Sequence, residues 1–185
     1  MLKTKQQIIK WLDSCSINGY TINKDLSVDV NQSVYLDYKA LKEIPVQFNV
    51  VKGNFSCSYN QLTSLEGCPK EVQGDFSCYD NKLTSLEGCP QEVQGGFLCY
   101  YNKLTSLKGC PREVKGRFDC SINKLTSLKG CPKEIHGGFD CSSNKLTSFT
   151  NWPKNHRTFK ILKDYIKEKE LIKLFKKEPE WLEFI

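Results

Sequence analysis

A unit of 21 residues is written five times in succession, and it constrains this chain more than anything else in it. Residues 53–73 read GNFSCSYNQLTSLEGCPKEVQ; GDFSCYDNKLTSLEGCPQEVQ, GGFLCYYNKLTSLKGCPREVK, GRFDCSINKLTSLKGCPKEIH and GGFDCSSNKLTSFTNWPKNHR follow from Gly74, Gly95, Gly116 and Gly137. A fixed period of this size marks a stacked array in which each unit is one coil. The Phe-x-Cys portion alternates, which places Phe76 and Cys78 on one side of a short strand and the intervening residues on the other. Each unit hides its Phe, two Leu, two Cys and Val only by resting on its neighbours, so no coil is expected to be stable alone.

The run Phe76, Cys78, Asn81, Leu83, with counterparts in every unit, resembles the leucine-rich repeat pattern L-x-L-x-x-N-x-L. That resemblance covers residues 32–157 and implies a parallel β-sheet on one face of the coil. Two departures shape the expectation. Phe and Cys stand where the family usually has Leu, and Pro69, Pro90, Pro111 and Pro132 make a helical convex side awkward. The short bacterial type of repeat, with a mostly extended back, is therefore expected. The fold class is an α/β repeat solenoid of about six coils with helical caps at both ends.

Three regions follow. Residues 1–31 read as an N-terminal cap: Thr4 to Gln7 has the form of a capping box, Ile8, Trp11, Leu12 and Cys15 follow at helical spacing, and Tyr20–Ile22 and Val28–Val30 suit a small hairpin. Trp11 is assigned to the core of that cap. Residues 32–157 form the solenoid; stepping back 21 residues from the first clear unit finds a degenerate coil in which Val34, Leu36, Leu41, Ile44 and Val51 keep the apolar frame and Lys39 takes the place of Asn. Residues 158–185 carry helical apolar stripes, Phe159, Leu162, Tyr165 and Ile166, then Leu171, Leu174 and Phe175, and read as a C-terminal cap. The ending Trp181 to Ile185 either folds back or is open to a partner.

The chain has 185 residues, a length that suits one domain, and lacks a run of 18 apolar residues, so no membrane span is expected. The first residues lack a signal peptide's apolar core, which predicts a cytoplasmic protein. Nine of the ten cysteines fall in two columns set by the period, Cys57, Cys78, Cys99, Cys120 and Cys141, and Cys68, Cys89, Cys110 and Cys131. No Cys-x-x-Cys is present to chelate a metal, and the thiols read as small buried apolar groups. The net charge of +6 is unevenly spread: residues 53–94 carry two Lys against six acids, a net of −4, and residues 95–136 eight Lys or Arg against three, a net of +5.

Little supports catalysis. The two histidines, His136 and His156, occupy repeat positions, the serine column Ser64, Ser85, Ser106 and Ser127 has no acid or base beside it, and the glycines follow the period rather than a phosphate-loop spacing. The expectation is a protein without enzymatic activity, cofactor or metal.

Positions that vary between units are free of the duty of building the coil. Most lie beside the strand: an apolar and aromatic centre of Tyr59, Tyr79, Leu98, Tyr100, Tyr101 and Ile122, with Asp75, Asp80, Arg117, Asp119 and Asp140 around it. An aromatic centre with a charged rim is a common interface arrangement; tyrosines tolerated on an exposed sheet are the plainer reading. Six coils give a strand face of roughly 300 Å², against about 800 Å² per partner for a standard interface, so a flanking edge or cap has to contribute. A basic ladder of Lys82, Lys103, Lys124 and Lys145, joined by Lys108 and Lys129, is the alternative surface, either for a polyanion or for solubility. The function expected from this surface is binding of another protein. The units also resemble small repeat proteins of bacteriophages and mobile elements, which implies an inhibitor that occupies a host defence factor, in the host cytoplasm, in the manner of an anti-defence or anti-CRISPR protein. Nucleic-acid binding, or competition with a guide or target strand, is the second reading, and self-association the third.

Overall fold

In the computed structural model residues 1–147, with Asn151 and Pro153, are described. The repeat closes into a β-solenoid. One strand per coil, β3 (Val34–Tyr35), β5 (Phe55–Ser56), β7 (Phe76–Ser77), β9 (Phe97–Leu98), β11 (Phe118–Asp119) and β13 (Phe139–Asp140), forms a six-stranded parallel sheet, so five turns separate its first strand from its last. Pairing is in strict register, Phe76 beside Phe97 and Phe97 beside Phe118. The strand N–H groups donate to the following coil: Phe76 N to Gly96 O at 2.8 Å, Cys78 N to Leu98 O at 2.9 Å.

The extended back is itself a sheet. Strands β1 (Tyr20–Ile22), β2 (Val28–Val30), β4 (Phe48–Val51), β6 (Glu71–Val72) and β8 (Glu92–Val93) form one sheet, and β10 (Glu113–Val114) and β12 (Glu134–Ile135) form a pair beyond it. The solenoid thus has parallel sheets on two sides where one was expected. The reason is the Glu-Val dipeptide that closes each unit: Val72, Val93, Val114 and Ile135 are buried while the glutamates beside them point out, the alternation of a strand with one wet face.

Between the two sheets lies the core. Phe48, Phe55, Phe76, Phe97, Phe118 and Phe139 form a continuous ring stack with centroids 5.0–5.9 Å apart, and Leu62, Leu65, Leu83, Leu86, Leu104, Leu107, Leu125 and Leu128 are fully buried. A column of asparagines holds the turn after each strand. Asn81 Nδ2 donates to Cys57 O of the preceding coil at 3.0 Å and to Cys78 O of its own at 3.2 Å, and its Oδ1 accepts from Leu62 N at 2.9 Å. Asn60, Asn102, Asn123 and Asn144 repeat this pattern. Glycine opens each unit because the coils touch there: a Cβ on Gly116 would lie 2.5 Å from Gly96 N and 2.7 Å from Gly95 C.

The N-terminal cap is helix α1 (Lys5–Ser14) with the hairpin β1–β2. Thr4 accepts from Gln7 N at 3.3 Å, while the Gln7 side chain accepts from Lys3 N, one residue before the position a reciprocal box would use. Ile8 and Leu12 are buried, and Trp11 packs on Phe48 with rings 6.4 Å apart. The hairpin continues the back sheet, since β2 pairs parallel with β4. The expected C-terminal cap, with Phe149, Trp152, His156 and residues 158–185, lies outside the described residues. No helix among the described residues is long and apolar enough to cross a membrane.

All ten cysteines are free. Burial pushes the thiols of Cys68, Cys78, Cys99 and Cys120 well above their ordinary value of 9.0 and those of Cys89 and Cys141 up to about 12. These thiols stay protonated in the fold but ionise in the unfolded chain once the pH passes about 9. The contribution of these thiols to stability is therefore constant below that pH and falls above it, by on the order of 1 kcal/mol per pH unit for each thiol that the fold keeps protonated. Under reducing conditions, far-UV circular dichroism should show unfolding between about pH 9 and 11; a spectrum unchanged beyond pH 11 contradicts the buried, protonated columns.

Replacing Asn102 by Ala leaves Leu83 N of the neighbouring coil without its acceptor and takes from Cys78 O one of its two amide donors, the other being Asn81 Nδ2. At about 1–3 kcal/mol for the orphaned group, Asn102→Ala should cost roughly 2 kcal/mol in urea unfolding. Asn144→Ala, at the half-buried end of the ladder, should cost less; equal small losses at both sites count against the ladder as a stabilising element.

Candidate functional site

The variable residues beside the front strands form two adjacent columns. One holds Asp37, Ser58, Tyr79, Tyr100, Ser121 and Ser142; the other, one residue on, holds Tyr38, Tyr59, Asp80, Tyr101, Ile122 and Ser143. Every residue of the second column has a left-handed backbone, with φ between 51° and 57°. The turn that follows each front strand takes that geometry in all six coils, including the first, where Lys39 stands in place of the asparagine. Glycine or asparagine would adopt it at little cost, yet no coil places either there. Ile122 is the extreme case, a β-branched residue in this region.

The tyrosines form one ladder that crosses between the columns. Tyr38 and Tyr59 stack with rings 4.2 Å apart, Tyr59 meets Tyr79 edge to face at 5.0 Å, and Tyr79 stacks on Tyr100 at 4.3 Å. The rings lie at the surface: Tyr38 is 72% exposed, Tyr101 55% and Tyr59 37%, with Tyr79 and Tyr100 half-buried by their neighbours. A hydroxyl bond to Tyr59, then burial and the charges of Asp37 and Asp80, push the Tyr38 phenol up to about 12. Burial raises Tyr79 and Tyr100 as well. Tyr38, Tyr79 and Tyr100 are thus neutral at physiological pH. Beside it Tyr35, Asp37, Tyr59, Asp75, Tyr79 and Leu98 are among the residues that line a shallow groove of about 450 Å³.

The expected aromatic centre is brought together, and the charged rim divides. Asp75 is exposed and Asp80 half-buried at the tyrosine end. Arg117, Asp119 and Asp140 instead satisfy one another: Arg117 Nη2 lies 2.7 Å from Asp119 Oδ2 and 3.2 Å from Asp140 Oδ2. Asp119 is a correction to the sequence reading, being 6% exposed with its second oxygen accepting from Ser121 N and Oγ. The in-register pairing of β11 and β13 sets Asp119 beside Asp140, and Arg117 neutralises that like-charge contact. Ser58 and Ser121, in the first of the two columns, are also buried.

Lys82, Lys103, Lys124 and Lys145 are exposed and in register, each backbone N–H donating to a Leu carbonyl of the preceding coil. Lys129 is exposed too, and Lys108 is paired with Glu87 at 2.9 Å.

Two features were missed by the sequence reading. Tyr35 and Tyr38 extend the aromatic face by one coil; they stand one period before Ser56 and Tyr59, in a coil whose apolar frame alone marks it as a repeat. The back sheet carries an acid ladder, with Glu71 beside Glu92 and Glu113 beside Glu134, visible in the sequence as a glutamate before each Val. Among the described residues, one group with metal-ligand side chains converges there: Glu113, Glu134 and His136 bring their ligand atoms within 4.8 Å of one another. His136 Nε2 lies 2.7 Å from Glu113 Oε1, and Lys115 also bonds Glu113. The Lys115 bond, then that of His136, holds the Glu113 carboxyl below its ordinary range. With Lys115 already supplying the cation, the group reads as an ion-pair cluster.

If the second column is held left-handed for the coil's sake and populated for another purpose, relaxing it should stabilise the protein. Ile122→Gly should raise stability by about 1 kcal/mol, the left-handed penalty less glycine's greater unfolded-state freedom. Ile122→Val, equally branched, should not. Chemical denaturation of both variants checks this, and a less stable Ile122→Gly contradicts it. Comparisons with family models, with curated proteins and with solved structures find no match to this chain.

Proposed function

We propose that this chain is a non-enzymatic binding module that engages another protein through its tyrosine-bearing strand face. The observation that carries the reading is the ladder Tyr38–Tyr59–Tyr79–Tyr100: four contacting aromatic rings at the surface, on positions that the coil leaves free to vary. Large rigid side chains with a polar tip are the residues that contribute most at protein interfaces. Left-handed Tyr38, Tyr59, Tyr101 and Ile122 add to the support, since side chains kept where the backbone disfavours them are characteristic of functional surfaces. The added coil of Tyr35 and Tyr38 widens the face toward the area a stable complex needs.

The repeat itself is of the leucine-rich type in this reading. The buried asparagine with its fixed set of backbone partners supports it, although the Phe-x-Cys strand and the stranded back depart from that family's usual frame. An inhibitory role, occupying the surface of a host defence factor, is supported by the likeness of the units to repeats of phage and mobile-element proteins.

One observation favours a second reading, a polyanion held by the Lys82–Lys103–Lys124–Lys145 ladder, whose stacked exposed ammonium groups repel one another in its absence. The two separate cleanly. Capture from cells with the Tyr79→Ala/Tyr100→Ala protein should lose a bound protein that Lys103→Ala/Lys124→Ala retains, with affinity falling at least tenfold at two interface tyrosines. Retention by the tyrosine variant, with binding that collapses between 50 and 200 mM salt, supports the lysine ladder instead.

A further inference from the structure

The groove beside the tyrosine ladder has a charge of one sign. Asp37 and Asp75 are among its lining residues, and that lining contains no Lys or Arg. Both carboxylates use one oxygen on the coil and leave the other uncommitted. Asp37 Oδ1 accepts from Ser58 N at 2.9 Å and from Ser56 Oγ at 2.5 Å, and Asp75 Oδ1 accepts from Gly96 N at 2.6 Å. Among the described residues neither is paired with a cation, in contrast to Asp119 and Asp140, which share Arg117.

The charge at Asp75 exceeds what the coil requires. One coil earlier Asn54 Oδ1 accepts from Asp75 N at 2.9 Å, the same bond made by a neutral amide. A carboxylate at this position therefore adds an anion and nothing else to the fold.

Resting on the reading that this face is the binding surface, we propose that the groove receives arginine side chains from an exposed basic segment of the partner protein. A guanidinium is flat, lies against tyrosine faces, and offers paired N–H donors that match a carboxylate edge. The ladder supplies the faces and Asp37 and Asp75 the edges. Lysine fits less well, being a strongly hydrated point charge with no face to stack. Phosphate-bearing ligands are repelled by the two carboxylates, so nucleic acid is excluded from this groove even where its bases could stack on tyrosine. The groove volume of about 450 Å³ lies in the range of side-chain and small-ligand pockets.

Isothermal titration of the full chain with an acetylated Arg-Gly-Arg-Gly-Arg peptide tests this, alongside the same peptide with citrulline or lysine in place of arginine. The arginine peptide should bind, the citrulline peptide at least about tenfold more weakly, and the lysine peptide between them. Asp37→Asn/Asp75→Asn keeps the oxygen acceptors of the coil and should weaken the arginine peptide by about tenfold or more, while Glu71→Gln/Glu92→Gln on the back sheet should leave it unchanged. Equal binding of the three peptides, absence of arginine binding at millimolar concentration, or indifference to the Asp37/Asp75 variant each overturns the proposal. The same aspartate variant in the capture experiment separates the two readings. Partner lost with the tyrosines replaced but kept with the aspartates replaced leaves a protein-binding face that does not select arginine. A partner kept by both variants removes the binding face as well.

Discussion

A buried side-chain amide fixes the register of this protein. Each asparagine in the column from Asn60 to Asn144 bonds its own coil and the one before it, so a coil cannot slip along its neighbour without orphaning several backbone groups at once. Apolar contacts alone would not be so exact, because a stack of phenylalanines at 5.0–5.9 Å tolerates small shifts. With register set by hydrogen bonds, the ring stack and the leucines only have to fill the space between the two sheets. The surface beside them is shaped by the same turn, since the residue before each asparagine, and Tyr38 before Lys39, is left-handed.

That coupling gives the face its character. These left-handed positions are costly for most residues with a side chain, yet they hold Tyr, Tyr, Asp, Tyr, Ile and Ser from Tyr38 to Ser143. A sequence shaped by stability alone would converge on glycine or asparagine in all six. The repeat therefore separates two kinds of position within a few residues of each other. Phe, Cys, Asn and Leu are held constant by the stack, and the two columns beside them vary against the backbone's preference.

How much of this was legible in the sequence follows from which interactions are local to one period. The inward Phe-x-Cys strand, the buried leucines, the asparagine's role toward the backbone, and the α1–hairpin cap could be read because each rests on spacing along the chain. Asp119 could not be placed, since its burial depends on Arg117 and Ser121 closing over it, and alternation alone assigns it outward. The second sheet was half visible: proline ruled out a helix, but whether an extended back pairs with its neighbours depends on how closely successive Glu-Val segments approach. Tyr35 and Tyr38 were hidden by the degeneracy of their coil, whose Lys39 breaks the asparagine frame that would have drawn attention to them. At that coil Asn60 Oδ1 accepts from both Lys39 N and Leu41 N, so the ladder reaches the first coil from above without an asparagine there.

The distribution of charge then follows from the parallel stack. Any residue type repeated at the period is brought in register with itself, so a glutamate becomes an acid ladder, a lysine a basic one and a tyrosine an aromatic one. Aromatic ladders gain from contact, whereas charged ladders are penalised unless something opposite intervenes. Among the described residues the penalty is relieved by Arg117 over Asp119 and Asp140, by Lys115 and His136 against Glu113, and by Lys108 against Glu87. Asp37 and Asp75 have no such partner among them, although a neutral side chain makes the Asp75 bond one coil away. An uncompensated pair of carboxylates beside four contacting tyrosines is a part of the front face that the described stack does not complete from its own residues, and a cation from outside would be held there.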